Sequence, residues 1–152
     1  MNKKAICIDY GLKRIGVALS DDRGAVAFPR KFIINENLEK SAAELKDIIV
    51  AENVSAVVVG MPVGLSGQQS SLSIETEKFI SEFKKTIENL PIKDIPIITY
   101  DERFSTAQAR RSLIDKDVNR KKRKQAIDSI AASFVLQAYL DGINNGINNI
   151  DI

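Results

Sequence analysis

Between Ile34 and Leu38 the hydrophobic pattern of the chain changes period, and this change constrains the fold more than any other feature. Before it, apolar residues run together or alternate in twos. Residues 4–10 read as a buried strand, and Ile15, Val17 and Leu19 alternate with Gly16, Ala18 and Ser20 in a second strand over 14–20. Residues 25–34 read as a third. Asp21-Asp22-Arg23-Gly24 parts the second from the third as a hairpin turn, with Gly24 able to take a positive φ. Pro29 cannot donate to a ladder, so the third strand belongs at a sheet edge or carries a bulge. After the change, Leu38, Ala42, Leu45, Ile48 and Ile49 step in threes and fours, the mark of an amphipathic helix.

Strand and helix patterns then alternate. Residues 55–60, with Ala56-Val57-Val58-Val59, form a short apolar β-branched run typical of a strand covered on both faces. A turn-rich loop spans 62–71, and Phe79, Ile80, Phe83, Ile87 and Leu90 make a second helical stripe, closed by Pro91. Residues 95–100 read as another strand, with Pro96 near its start. Ser105-Thr106-Ala107-Gln108 has the form of a capping box and opens a further helix, and a last helix covers about 125–141. The order β-β-β-α-β-α-β-α-α predicts an α/β protein: a mixed five-stranded sheet, three strands antiparallel and two added in parallel, flanked by helices. This is the order of the ribonuclease H-like fold. The expected organisation is one domain over residues 1–141 and a flexible polar tail over 142–152, where Gly-Ile-Asn-Asn occurs twice.

Composition removes whole classes of chemistry. There is no histidine among the 152 residues, which excludes Ser-His-Asp and Cys-His nucleophiles and His-ligated zinc. Hydrolysis on this chain must rest on carboxylates, lysine, or a hard cation held by oxygen. The lone Cys7 sits in an apolar strand and reads as a core residue. No apolar run approaches the roughly 18 residues of a membrane span, so no membrane association is expected and a cytoplasmic location is. The formal net charge of +2 is unevenly spread: residues 103–124 hold nine basic and two acidic side chains, leaving 13 basic and 18 acidic elsewhere. Such segregation suits a polyanion, although a solvated basic loop would show the same run.

Three acidic positions stand at the ends of core elements. Asp9 closes the first strand, where an ionised carboxylate is costly unless a cation or several donors compensate it; a turn cap through Gly11 is the plainer alternative. Asp128 lies three and four residues before Ala131 and Ala132 on the last helix, a small apolar face that can approach the sheet closely; an acid near a helix start is favourable in any case. Asp101 and Glu102 end the last strand, and alternation lets only one of them face the same side as Asp9. Together these acids form an oxygen-lined set suited to Mg²⁺ or Mn²⁺. Two such ions about 3.5–4 Å apart can activate water and stabilise the leaving oxygen of a phosphodiester.

Ile8-Asp9-Tyr10-Gly11 with Arg14-Ile15-Gly16-Val17-Ala18, then Val59-Gly60-Met61-Pro62, Asp101-Glu102-Arg103-Phe104-Ser105-Thr106 and Asp128-Ser129-Ile130-Ala131-Ala132, resemble the successive motifs of the YqgF (RuvX) family. That family belongs to the ribonuclease H-like, Holliday-junction-resolvase-related superfamily, and the likeness runs from about residue 4 to 141. It implies a bacterial cytoplasmic nuclease that trims the 5′ end of pre-16S rRNA, with Holliday junction resolution as an older assignment. By the same resemblance the catalytic and metal-binding acids are Asp9, Glu102 and Asp128. By the same resemblance, many relatives in the wider superfamily carry an acid at the end of the fourth strand, where this chain reads Gly60-Met61-Pro62.

Arg120, Lys121, Lys122, Arg123 and Lys124 directly precede the helix bearing Asp128, which ties phosphate-binding charge to the proposed catalytic face. Lys13, Arg14 and Arg103 are further candidate phosphate contacts; for Lys13 and Arg14 a solvated turn is the equal alternative. The expected partner is RNA, in particular pre-16S rRNA, or branched DNA, with homodimerisation left open. Two rivals stand. A non-catalytic nucleic-acid-binding or regulatory protein needs only the basic patch. Asp9-Tyr10-Gly11 with Lys13 and Gly16 also resembles the first phosphate motif of actin and hexokinase ATPases, which use two such domains where this chain supplies one.

Overall fold

In a computed structural model, described over residues 2–62, 71–90, 94–102 and 120–145 (120–128 by backbone alone), five strands and three helices follow the expected order. The strands are β1 (Ala5–Asp9), β2 (Arg14–Ser20), β3 (Ala27–Ile34), β4 (Ala56–Met61) and β5 (Ile97–Asp101). The helices are α1 (Leu38–Glu52), α2 (Ser71–Glu88) and α3 (Arg120–Asn144). The sheet order is β3-β2-β1-β4-β5, with β1 antiparallel to β2, β2 to β3, and β1-β4 and β4-β5 parallel. The capping-box helix expected from Ser105 lies outside the described residues, as does Arg103.

Each side of the sheet has its own core. On one, Ile6, Ile8, Val57 and Val59 meet Leu45 and Ile49 of α1 and Phe79 and Phe83 of α2. The two phenylalanine rings stack at 5.5 Å, and Tyr10 packs on Phe79 at 4.9 Å. On the other, Ala5, Cys7, Ala18 and Val58 meet Ala131, Ala132, Val135, Leu136 and Leu140 of α3. Small residues on this side let one helix lie close across β2, β3 and β1. β4, between β1 and β5, is buried from Val57 to Gly60, as its apolar run requires.

The boundaries that differ from the sequence expectation differ for local reasons. β3 begins at Ala27 rather than 25, because the Asp21 carboxylate accepts the N–H groups of Ala25 (2.7 Å) and Val26 (3.0 Å) in the turn, where Gly24 has φ +68°. β3 is an edge strand, which accommodates Pro29, and the β2-β3 register shifts between Ile15 and Val17. β5 begins after Pro96, whose carbonyl still accepts Val57 N–H at 2.9 Å. α1 starts where Asn37 accepts Lys40 N–H and ends at Asn53 in the left-handed region.

α3 departs most. It begins at Arg120, so residues 120–124 form its first turns instead of preceding it, and it continues past Asp141 to Asn144, into the segment expected to be a flexible tail. Its far end is docked on the β2-β3 turn. Gln137 accepts from Ala27 N–H and donates to the Ala25 carbonyl, both at 2.9 Å, and Asn144 donates to the Gly24 carbonyl at 3.0 Å. A helix held from outside runs through Gly142.

Val26 and Ala25 N–H groups hold the Asp21 carboxyl below its ordinary range. A depressed folded-state pKa gives stability that is present above the unfolded value and lost as pH falls through the folded one. In melts followed from neutral to acid pH, Asp21→Asn keeps the acceptor oxygen but removes this contribution, so its melting temperature is expected to fall less steeply below pH 4 (about the unperturbed Asp value) than the parent's. Parallel curves would show that the turn does not depend on the charge.

Candidate active site

The carboxyl ends of the three parallel strands form one rim. In the β1-β4 register Ile8 pairs with Val59, so Asp9 and Gly60 stand side by side one residue further on. Neighbouring strands are about 4.8 Å apart. Gly60 in turn pairs with Tyr100 and Met61 with Asp101. On its other side Asp9 pairs with Gly16 of β2.

Alternation assigns each acid to a side. Ala5 and Cys7 belong to the α3-side core, so the half-buried Asp9, two residues on, faces α3. Tyr100 also packs on that core, its ring edge-on to Tyr139 at 6.1 Å; Asp101 therefore faces the other way. Glu102, one residue beyond β5, returns to the α3 side. A Cβ built on Gly60 would lie 3.0 Å from Glu102 Oε1, 3.4 Å from its Cγ and 3.6 Å from Val135 Cγ1. The Glu102 side chain thus lies over the Gly60 backbone, between β4 and α3, on the side that Asp9 faces. Sequence left Asp101 and Glu102 as alternatives for this side, and the geometry favours Glu102.

Beneath the two carboxylates lies Cys7, fully buried. Burial first, then the negative charges of Asp9 and Glu102, push its thiol well above the usual range. One buried group feels both acids. A protonated thiol offers no soft ligand and no nucleophile. Cys7 should therefore resist DTNB in the native protein and react on unfolding; rapid native modification would contradict this burial.

Asp128 lies in the third turn of α3 and is described by backbone alone. Three and four residues on, Ala131 and Ala132 are buried against the sheet, and the next residue, Ser129, accepts Val17 N–H at 3.3 Å. That bond ties this end of α3 to β2 beside Gly16, the partner of Asp9. Among the described residues no three acids or cysteines form a metal-sized cluster; the Asp128 carboxylate is not among them. The donors that are described are hard oxygens at one rim, which suits Mg²⁺ or Mn²⁺ and not zinc.

The β1-β2 turn flanks the rim. A Cβ on Gly11 would collide with the Arg14 carbonyl, so the turn needs glycine there. Asn35 secures it, donating from its side chain to the Gly11 carbonyl at 2.9 Å and accepting from Ser41 Oγ at 2.7 Å. Lys13 is exposed. Arg14 is half-buried with its guanidinium over the Phe32 ring, 5.7 Å from the centroid. Arg120, Lys121, Lys122, Arg123 and Lys124 share the α3 helix with Asp128, their side chains outside the described residues. Sequence reading missed Gly60, Ser129 and Asn35 as parts of the rim. None carries charge; only the acid-free Gly60-Met61-Pro62 hinted that something else fills that place.

Known proteins share this fold. A solved Thermus thermophilus RuvC in complex with a Holliday junction substrate superposes with a TM-score of 0.66, at 12% identity, over 95% of this chain and 96% of that one. The yeast mitochondrial Holliday junction resolvase Ydc2 gives a TM-score of 0.58 at 10% identity, over 91% and 78%. At such identities the likeness speaks for the fold alone, and that fold is ribonuclease H-like. In sequence, a protein of Halothermothrix orenii named "Putative pre-16S rRNA nuclease" is 40% identical over 134 residues, 88% of this chain and 91% of that protein. One of the same name from Staphylococcus aureus is 38% identical over 146 residues, 95% and 99% of the two chains. The family model described as "RuvX: Holliday junction resolvase" matches residues 3–142, and the chain belongs to that family.

Proposed function

We propose that this protein is a divalent-metal-dependent endonuclease that cleaves structured nucleic acid, with the 5′ end of pre-16S rRNA as its substrate. The observation that carries the reading is the rim itself: Asp9 at the end of β1 and Glu102 just beyond β5 on one side of the parallel strands, with β4 between them and the helix bearing Asp128 across that side. The substrate comes from the relatives' shared name. Asp9, Glu102 and Asp128 would hold Mg²⁺ or Mn²⁺, which when bound supplies charge stabilisation and an activated water. The protein's share is to bring these carboxylates to one edge, exclude competing donors by keeping Cys7 buried, and bind the phosphate backbone alongside. The domain carrying the activity closes with α3, and we place its action in the cytoplasm.

The family description favours branched DNA as a second substrate class. The test offers Mg²⁺ or Mn²⁺ with a labelled RNA bearing the 16S 5′ extension, and separately a four-way DNA junction. Cleavage of the RNA with correct end formation supports the reading, and cleavage of the junction alone shifts it to resolution. Binding without cleavage of either leaves a nucleic-acid-binding protein.

Affinity is assigned to the basic α3 start with Lys13, Arg14 and Arg103. Replacing Arg120, Lys121, Lys122, Arg123 and Lys124 by Ala should weaken binding across unrelated sequences and flatten the plot of log affinity against log salt by about one unit for each phosphate no longer neutralised. Unchanged titrations at several salt concentrations would reduce this run to a solvated face.

A further inference from the structure

We infer that Gly60 is the positioning residue for Glu102: by lacking a Cβ it leaves the slot between β4 and α3 in which the Glu102 carboxylate lies. This rests on the nuclease reading for its functional consequence, though not for its geometry. Gly60 is buried on β4, next to Asp9 and paired with Tyr100. Its missing Cβ would lie 3.0 Å from Glu102 Oε1, closer than such contacts ordinarily come, and 3.6 Å from Val135 Cγ1 behind it. The close neighbour is the end of a flexible side chain, whereas the wall behind is the packed face of α3. An added methyl group is therefore accommodated by moving the carboxylate, not the helix. Gly60 does not adopt a positive φ, so its backbone accepts alanine, and no conformational need for glycine explains it. Strand interiors ordinarily disfavour glycine, and one often marks a close approach of another group.

Val58 and Gly60 share the α3 side of β4, so a longer side chain at position 60 would enter the space that Glu102 occupies. One rim position holds one carboxylate, and here it is supplied from beyond β5.

The test is a double-mutant cycle of Gly60→Ala with Glu102→Ala, read in metal-free thermal melts, with Mn²⁺ titration calorimetry on the parent, Gly60→Ala, Glu102→Gln and the Gly60→Ala/Glu102→Gln pair. Alanine for a strand glycine restricts the unfolded chain, so Gly60→Ala should raise the melting temperature more in the Glu102→Ala background, where the slot is vacant, than in the parent. In the parent it should lower Mn²⁺ affinity about 10- to 100-fold, the range seen when the support of a metal ligand is lost. In the Glu102→Gln background it should change that affinity little. Equal temperature shifts in both backgrounds, or the same loss of Mn²⁺ affinity in both, would overturn the inference. A parent that binds no Mn²⁺ would overturn the metal reading and the role of Gly60 in it, while the melts still decide where Glu102 sits.

Discussion

Asp9→Asn is expected to reduce divalent-dependent cleavage by more than the 10- to 100-fold typical of losing a second-sphere partner of a metal, about 100-fold at the least. The substitution keeps the shape of the side chain and removes the negative charge. Asp9 ends β1 on the α3 side, beside Gly60 and the Glu102 carboxylate above it, so its charge is added to an already acidic rim. Without metal that concentration of charge disfavours the folded state, and the variant should melt at or above the parent temperature. With Mn²⁺ present the order should reverse, because the parent alone gains the binding energy of the ion. Nucleic-acid affinity should stay within about twofold, since phosphate contacts made by basic side chains dominate it. Gel-based cleavage, salt titrations and melts with and without Mn²⁺ separate these effects. Retained cleavage would remove Asp9 from the chemistry.

Phe79→Ala should have the largest effect on stability. Phe79 is fully buried on the side of the sheet away from α3, stacked on Phe83 and against Tyr10. Truncating such a ring costs about 3–5 kcal/mol, through lost transfer energy and the cavity left behind. For a chain of this size that lowers the melting temperature by about 6–20 °C. Below the transition the variant should still bind and cleave, because Ala131, Ala132 and Val135 form a separate core on the other side of the sheet. Loss of cleavage at temperatures where the fold is intact would mean that the two cores are coupled through the strands.

The two sides of the sheet were legible to different degrees before the structure. β2 follows its alternating residues from Arg14 to Ser20, and α1 opens where the apolar period changes, because in both the side-chain spacing reports burial directly. α3 was harder at both ends. Its first turns are a run of like charges that reads as loop, and its last turn crosses Gly142, where hydrogen bonds from Gln137 and Asn144 to the β2-β3 turn outweigh a local stop signal. Asp9 was visible because an acid at the end of an apolar strand is costly. Glu102 could not be separated from Asp101 by pattern alone; the choice depends on which side Tyr100 packs, a tertiary fact. Gly60 and Ser129 were silent because their contributions, an absent Cβ and one hydroxyl acceptor, have meaning only once β4 and α3 are in contact.

Crystals of the protein soaked in Mn²⁺ and measured for its anomalous scattering decide whether the rim of acids binds a metal ion. A manganese peak is expected at the carboxyl end of β1 and β4, ligated by Asp9, Glu102 and Asp128 at the short distances of a hard cation and lost in Asp9→Asn crystals. No peak at that rim in saturating Mn²⁺, or an ion bound there without Asp9, would contradict the metal reading.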